Sequence, residues 1–359
     1  MNKIGVVTGG GDCPGLNTVI RAVAKAAAQR GWETLGILGG YEGLLEPQQY
    51  VPLDYKAIGG LLNRGGTILG TANRGKFSAK TGHGETRQLP RELLDGVREG
   101  MKKLGLGALV SIGGDGSLTI AHQMCEAGIP IVGVPKTIDN DLHGTLMTFG
   151  FDSAVACATD ALDRLHTTAE SHRRVMVLEV MGRYAGWIAL YAGVSGGADV
   201  ILIPEIPFTY ESICAKVKER EALGKHFTLV VVAEGAKEKG ADFVTSAGQE
   251  ANREARLGGI GAVVTAEIEK RTGKESRNCV LGHLQRGGSP TTFDRALCSM
   301  FGAHAVELVA AGDFGKMVGF VGAGVGSVPI IEAIGKLKTV PPDGTLARTA
   351  RALGISLGD

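Results

Sequence analysis

The sequence predicts an α/β protein built on mainly parallel sheets, and three observations carry that prediction. Seven short runs are continuously apolar rather than alternating: Ile4 to Val7, Ala108 to Ile112, Ile129 to Val134, Val175 to Val180, Val200 to Ile203, Leu229 to Val232 and Met317 to Val321. Such runs suit strands buried on both faces. Helical patterns lie between them: Leu16, Val19, Ile20, Val23, Ala24 and Ala27 recur at the spacing of one helix face and predict a helix over Asn17 to Arg30. Finally, several runs end in glycine clusters, where a tight turn or a close approach of backbone to ligand needs a residue without Cβ. Strand, helix and strand in this order imply parallel pairing with helices on both sheet faces. Ligands of such sheets collect beyond the carboxyl ends of the strands.

Composition sets the outer limits. With 359 residues, 44% hydrophobic and 21% charged, the chain can bury a large core in one big unit or two ordinary lobes. A net charge of +1 with dispersed Lys and Arg leaves no electrostatic footprint for nucleic acid or an anionic membrane. No apolar run approaches the roughly 20 residues of a membrane span, and the first residues lack the pattern of a signal peptide. The six cysteines (Cys13, Cys125, Cys157, Cys214, Cys279, Cys298) are widely spaced without CxxC pairing, so reduced thiols in the cytoplasm are expected. Two polar, Gly-rich stretches, Lys76 to Gln88 and Ala236 to Gly259, read as surface excursions.

Three strand-end loops carry the chemistry. The first strand runs into Gly9-Gly10-Gly11-Asp12-Cys13-Pro14-Gly15-Leu16-Asn17 and then a helix. Glycines there let backbone N–H groups turn toward an anion at the positive end of the helix. The Walker Lys and Ser/Thr are absent, so this is either a phosphate cradle of another kind or a plain tight turn. A second strand ends in Gly113-Gly114-Asp115-Gly116-Ser117, where Asp115 can hold Mg²⁺ while amides face phosphate oxygens, or can simply cap a helix. This motif occurs also in NAD kinases and lipid kinases and names no substrate by itself. The third loop is Pro135-Lys136-Thr137-Ile138-Asp139-Asn140-Asp141. Two carboxylates two residues apart, beside a hydroxyl and an ammonium, suit one Asp as general base toward an alcohol and the other near a metal.

With this loop the sequence resembles the phosphofructokinase family. The matching segments are Gly10 to Asn17, Arg64 to Gly70, Gly113 to Ser117, Pro135 to Asp141, Ser171 to Gly186, Glu234, and Cys279 to Pro290, in family order over nearly the whole chain. The resemblance implies the phosphofructokinase fold, two Rossmann-like three-layer α/β/α lobes. Residues 1–150 with about 285–335 would form the donor lobe, and about 151–284 with 336–359 the fructose 6-phosphate lobe. It implies Mg²⁺-dependent phosphoryl transfer to the 1-hydroxyl of fructose 6-phosphate. Asp139 would be the base, with Thr137, Lys136 and the Gly11 N–H at the phosphoryl group and Asp115 and Asp141 at the metal. The donor would meet Gly10, Gly11, Asn73, Arg74, Gly114, Asp115, Gly116 and Ser117. His283 and Arg286 would grip the 6-phosphate, joined by Arg174 and Arg277 of a neighbouring subunit, while Met181, Gly182, Arg183 and Glu234 line the sugar. A site shared in this way implies a homo-oligomer, the family's homotetramer. Complete retention of Asp115, Thr137, Asp139 and the Arg set weighs against a non-catalytic regulatory subunit.

Two positions report the donor, and they conflict. Gly116 leaves room for a nucleotide where pyrophosphate enzymes commonly carry Asp, whereas Lys136 stands where pyrophosphate enzymes carry Lys and the familiar bacterial ATP enzymes carry Gly. An obstructing carboxylate would exclude a nucleotide, but an extra ammonium serves either donor, so ATP is favoured over pyrophosphate. Where those ATP enzymes place an Arg near the transferred phosphate, this chain reads Gly70-Thr71-Ala72-Asn73 followed by Arg74, and Lys136 is the candidate to replace that charge.

Overall fold

The computed structural model describes residues 2–72, 75–77, 87–245 and 257–359. Most of the two expected surface excursions, and both Asn73 and Arg74, lie outside the described residues. The order of elements is β1 (Lys3–Thr8), α1 (Leu16–Gln29), β2 (Glu33–Ile37), β3 (Tyr50–Pro52), α2 (Arg91–Leu104), β4 (Ala108–Gly113), α3 (Asp115–Glu126), β5 (Ile131–Pro135), α4 (Phe151–His172), β6 (Val175–Val180), α5 (Trp187–Ser195), β7 (Val200–Leu202), α6 (Tyr210–Ala222), β8 (Thr228–Ala233), α7 (Ile260–Thr272), β9 (Ser276–Val280), α8 (Thr292–Ala311), β10 (Lys316–Val321), β11 (Gly324–Pro329), α9 (Ile330–Ala333) and α10 (Thr345–Ala352).

All seven expected strands form. The larger sheet has the order β11-β10-β5-β4-β1-β2-β3, and the smaller has the order β7-β8-β6-β9. The smaller sheet is parallel throughout, and the larger is parallel except for its two edge pairs, β2 with β3 and β10 with β11. Four strands lack the expected apolar run for identifiable reasons. Strand β9 lies on an edge, with Arg277, Asn278 and Val280 exposed, β3 is three residues long, and β2 and β11 are interrupted by Gly36 and Gly326.

Alternate strand residues feed opposite faces. Ile4, Val6, Val110, Ile112 and Val132 enter one core with α1, α4 and α8, whereas Val7, Leu109 and Ile131 enter a second core with α2 and α3. The first core continues into the smaller sheet through Leu178, Val180, Ile201 and Val231, so one apolar mass spans both sheets. Val175, Val177, Val230 and Val232 face the other way, onto α6 and α7. Among the described residues, no helix is long and apolar enough to cross a membrane.

The junction of the two sheets is held by a buried carboxylate. Asp294, in the first turn of α8, is fully buried and accepts the Gly150 N–H at 3.0 Å, the Ser153 N–H at 2.9 Å and the Ser153 hydroxyl at 2.6 Å. These donors sit at the N-terminus of α4, which needs acceptors and favours negative charge. The contact is reciprocal: the Thr291 hydroxyl donates to Asp152, and the Thr291 N–H donates to Ser153 Oγ at 3.0 Å.

Burial pushes the Asp294 carboxyl from 3.8 up to about 6, against the opposing hydrogen bonds from Ser153 and Gly150. Its folded value is the higher one, so the folded state binds the extra proton between those two values. Asp294 therefore contributes stability at low pH that is lost as pH rises through about 6. Asp294→Asn lacks this titration. The stability of wild type relative to the variant, read from urea midpoints at fixed pH, should fall by ~1–3 kcal/mol as pH is raised across that window. A relative stability that rises with pH would contradict the burial argument.

Candidate active site

The carboxyl ends of β1, β4 and β5 open onto one cleft of about 860 Å³. It is lined by Gly10, Gly11, Gly114, Asp115, Gly116, Ser117, Lys136, Thr137, Asp139, Asp141, Arg183, His283 and Arg286, thirteen of the residues expected from the sequence. They arrive from the two sheets, which explains why the junction matters to the site.

Close approach explains the first glycine loop. Gly10 has φ 77°, in the left-handed region, and a Cβ at Gly11 would stand 2.8 Å from Arg286 Nη1. Arg286 reaches across from the segment after β9 and donates to the Asp12 carbonyl at 3.1 Å. On the other side of the loop, the buried Lys136 ammonium donates to the Gly11 carbonyl. Two cations thus flank this backbone, Arg286 and Lys136. Burial pulls the Lys136 ammonium below its ordinary value, Cys13 opposes that, and Arg286 adds to it.

Gly116 differs from Gly11. A Cβ there would meet nothing within 4 Å, so a side chain at this position would extend into the cleft without disturbing the protein. It sits in the first turn of α3, whose leading N–H groups have no intrahelical acceptor and favour an anion.

Asp139 is 5% exposed, and its Oδ1 is buried with no hydrogen-bond partner among the described residues. Buried polar atoms are normally satisfied, so an orphan in a cleft marks a group that awaits a ligand or a proton. Burial pushes its carboxyl up to about 7, Asp141 adds to the rise, and Arg286 opposes it. Asp141 is raised as well, by burial first and with Asp115 contributing, while the Thr137 hydroxyl opposes the shift. The loop is braced from within: the Thr137 Oγ1 accepts the Asp139 N–H at 3.1 Å, and the Thr148 hydroxyl donates to the Thr137 carbonyl at 2.7 Å.

The remaining expected residues divide into two groups. Met181 and Gly182 follow β6 and Glu234 follows β8, at the cleft end of the smaller sheet, yet outside the cleft lining. They support it instead: the Met181 N–H donates to Gln285 Oε1 at 2.8 Å, and Glu234 Oε1 accepts the Arg183 N–H at 3.0 Å. Arg183 has φ 50°, a left-handed conformation that Glu234 helps to hold. Arg174 and Arg277 stand at the amino ends of β6 and β9, where both pair with Glu275. A strand rises about 3.3 Å per residue, so Arg174 lies roughly 20 Å from Met181 and cannot reach its own chain's cleft.

Several lining residues carried no sequence signal. Gly39, Gly40, Tyr41 and Glu42 follow β2, and Phe77, Gly335, Lys336 and Leu337 complete the wall. The Gly39-Gly40 pair has the same strand-end glycine character as the other loops and went unread because β2 itself lacks an apolar run. Tyr41, Phe77 and Ile120 make one part of the cleft apolar, with the Tyr41 and Phe77 ring centroids 5.6 Å apart.

Residues 3–309 match the family described as Phosphofructokinase. An ATP-dependent 6-phosphofructokinase of Chloroflexus aggregans is 52% identical over 359 residues, covering 99% of this chain and 98% of its own. A pyrophosphate–fructose 6-phosphate 1-phosphotransferase of Streptomyces coelicolor is 50% identical over 346 residues, covering 95% of this chain and 96% of its own. The crystal structure of Pichia pastoris phosphofructokinase in the T-state aligns with a TM-score of 0.81 at 31% identity, over 92% of this chain and 35% of that longer one. This chain belongs to the phosphofructokinase family.

Proposed function

We infer that the protein transfers the terminal phosphoryl group of ATP to the 1-hydroxyl of fructose 6-phosphate, giving fructose 1,6-bisphosphate and ADP, a step of glycolysis. The observation that carries this reading is the orphaned, buried Asp139 carboxylate in one cleft with a phosphate-ready helix N-terminus and the His283 and Arg286 pair. As the base, Asp139 takes the proton of the 1-hydroxyl, and the freed oxygen attacks the terminal phosphorus in line with the departing ADP oxygen. Its raised value sits near neutrality, where a base is still ionised in a large share of molecules and strong enough to accept a proton. Charge in the transition state spreads over three phosphoryl oxygens, and the Gly11 N–H, Thr137 hydroxyl and Lys136 ammonium are the groups that would meet it.

Asp115 and Asp141 suit Mg²⁺ that arrives with the donor. Among the described residues no cluster of three or more His, Cys, Asp or Glu could hold a metal alone, and Mg²⁺ commonly takes one or two carboxylates together with substrate phosphates. When bound, it neutralises phosphate charge. The larger sheet's loops then serve the donor, and those of the smaller sheet serve the sugar phosphate. His283 and Arg286 hold the 6-phosphate from within the chain, and Arg183, Met181, Gly182 and Glu234 shape the sugar site.

The donor reading rests on space and polarity. Gly116 faces open cleft, and Tyr41, Phe77 and Ile120 offer apolar surface that a purine uses and two inorganic phosphates do not. Pyrophosphate is the second reading, favoured by Lys136 and by the donor named for the Streptomyces relative. Purified protein given fructose 6-phosphate, Mg²⁺ and either donor should form fructose 1,6-bisphosphate with ATP. Product with neither donor would refute the enzyme reading. Gly116→Asp should cut kcat/KM with ATP by roughly a hundredfold or more through crowding and charge repulsion, and full ATP use by this variant would overturn the donor argument.

Lys136→Met is expected to lower turnover by ~100-fold while the KM for fructose 6-phosphate changes only a few-fold, because its charge acts on the phosphoryl group rather than the sugar. Unchanged turnover would remove Lys136 from the mechanism.

Arg174, too far from its own cleft, and Arg277, which pairs with the same Glu275, complete the 6-phosphate site of a neighbouring subunit in a homotetramer. Asp139→Ala and Arg277→Ala chains, refolded together and assayed at low sugar phosphate, should regain about a quarter of wild-type activity through hybrid sites. If mixing restores nothing, the sites are not shared.

A further inference from the structure

The segment after α9 is a strap laid across the acidic loops of the cleft. The Gly335 N–H donates to Asp115 Oδ1 at 3.2 Å, Leu337 pairs with Leu142, and the Lys338 N–H donates to the Asp141 carbonyl at 2.9 Å. Farther along, the Lys338 carbonyl accepts Trp187 Nε1 at 2.8 Å, and the Val340 N–H donates to Glu205 Oε1 at 2.7 Å. The strap therefore runs from the loops of the larger sheet to α5 and the turn after β7.

The Lys338 side chain turns back into the loop beneath it. Its ammonium donates to Asn140 Oδ1 at 2.9 Å and to the carbonyls of Thr145 and Leu146 at 3.0 Å each. An ammonium has three donors and no acceptor, and here three oxygens of a single loop take all of them. Asn140 is buried and left-handed, with φ 52°, and its Oδ1 also accepts the Thr148 N–H at 3.1 Å. It stands between the two aspartates, so its backbone angle sets the direction of one relative to the other. Apart from glycine, asparagine is among the few residues that visit this conformation, and a fixed side chain keeps it there.

We propose that Lys338 is a positioning residue for phosphoryl transfer: by gathering the oxygens of Asn140, Thr145 and Leu146 it holds Asn140 left-handed and so fixes the relative aim of Asp139 and Asp141. This rests on the roles assigned above to those two aspartates. The Lys338 ammonium spends its three donors on Asn140, Thr145 and Leu146 and reaches the Asp141 carboxylate through its charge alone, so its loss acts on the reacting geometry and leaves sugar binding nearly intact. Displacements of a fraction of an ångström are enough to slow such a reaction.

The test uses the full-length protein and two readouts. In Lys338→Met, kcat should fall about tenfold or more while the KM for fructose 6-phosphate stays within about threefold, and Lys338→Arg should recover to within about threefold of wild type. Independently of any substrate, amide exchange at Thr148 should quicken by about tenfold in Lys338→Met, because its acceptor Asn140 is released. Should Lys338→Met be too unstable to purify, Lys338→Gln, which supplies a neutral donor too short to serve all three oxygens, is read in the same way. Wild-type kcat in the Met or Gln variant, or a KM that rises as steeply as kcat falls, overturns the proposal. So does unchanged exchange at Thr148, whatever the activity. A wild-type protein inactive with both donors refutes the function, while the exchange readout still decides whether Lys338 holds the loop.

Discussion

The structure depends on one buried carboxylate. Asp294 gives three hydrogen bonds' worth of acceptor to the start of α4, and α4 is where the chain passes from the larger sheet to the smaller. The residue before its Gly150 partner, Phe149, pairs with Lys136 at the start of the loop that carries both aspartates. The Asp139–Asp141 loop is therefore fixed at both ends, by β5 on one side and by the helix that Asp294 caps on the other. A desolvated carboxylate is a costly element, and its retention in the folded state is understandable because a helix N-terminus supplies the compensating donors.

From this anchor the electrostatics of the cleft follow. Asp141 adds to the rise of Asp139 and Asp115 to that of Asp141, and Lys136, Arg183 and Arg286 stand among them as the counter-charges. Burial enlarges every one of these effects, since a low-dielectric site screens little. Within this set the Asp139 Oδ1 is buried without a hydrogen-bond partner among the described residues, which leaves that carboxylate open to a ligand.

Much of this was legible in the sequence because it is local. A buried parallel strand announces itself by a continuous apolar run, as Leu229–Val232 does, and a phosphate loop by glycines at the strand's end, as Gly9 to Gly15 do. Of the four edge strands, β7 showed its apolar run but β3, β9 and β11 escaped; β9 reads Ser-Arg-Asn-Cys-Val and has no apolar face to betray it. The residues that reach the cleft from far along the chain escaped as well. Lys336 and Lys338 are ordinary lysines in sequence, and only the return of the strap over Asp115 and Asp141 brings the first to the cleft wall and the second to the loop behind it. Asn140 belongs to the Pro135 to Asp141 motif, but its left-handed backbone is a property of the folded loop. Met181 and Glu234, expected at the sugar, each make a contact that braces the cleft, through Gln285 and Arg183.

The contrast between Gly11 and Gly116 has an evolutionary meaning. A side chain at Gly11 would press on the guanidinium of Arg286, so a change there displaces one of the cleft's own cations. At Gly116 added atoms meet no protein, and a substitution there alters the chemistry of the cleft at little cost to folding. With Gly116 in the donor role proposed for it, choice of phosphoryl donor would be uncoupled from the integrity of the fold. A lineage carrying this scaffold can explore new donors one side chain at a time, while the buried anchor and the apolar mass beneath the cleft stay as they are.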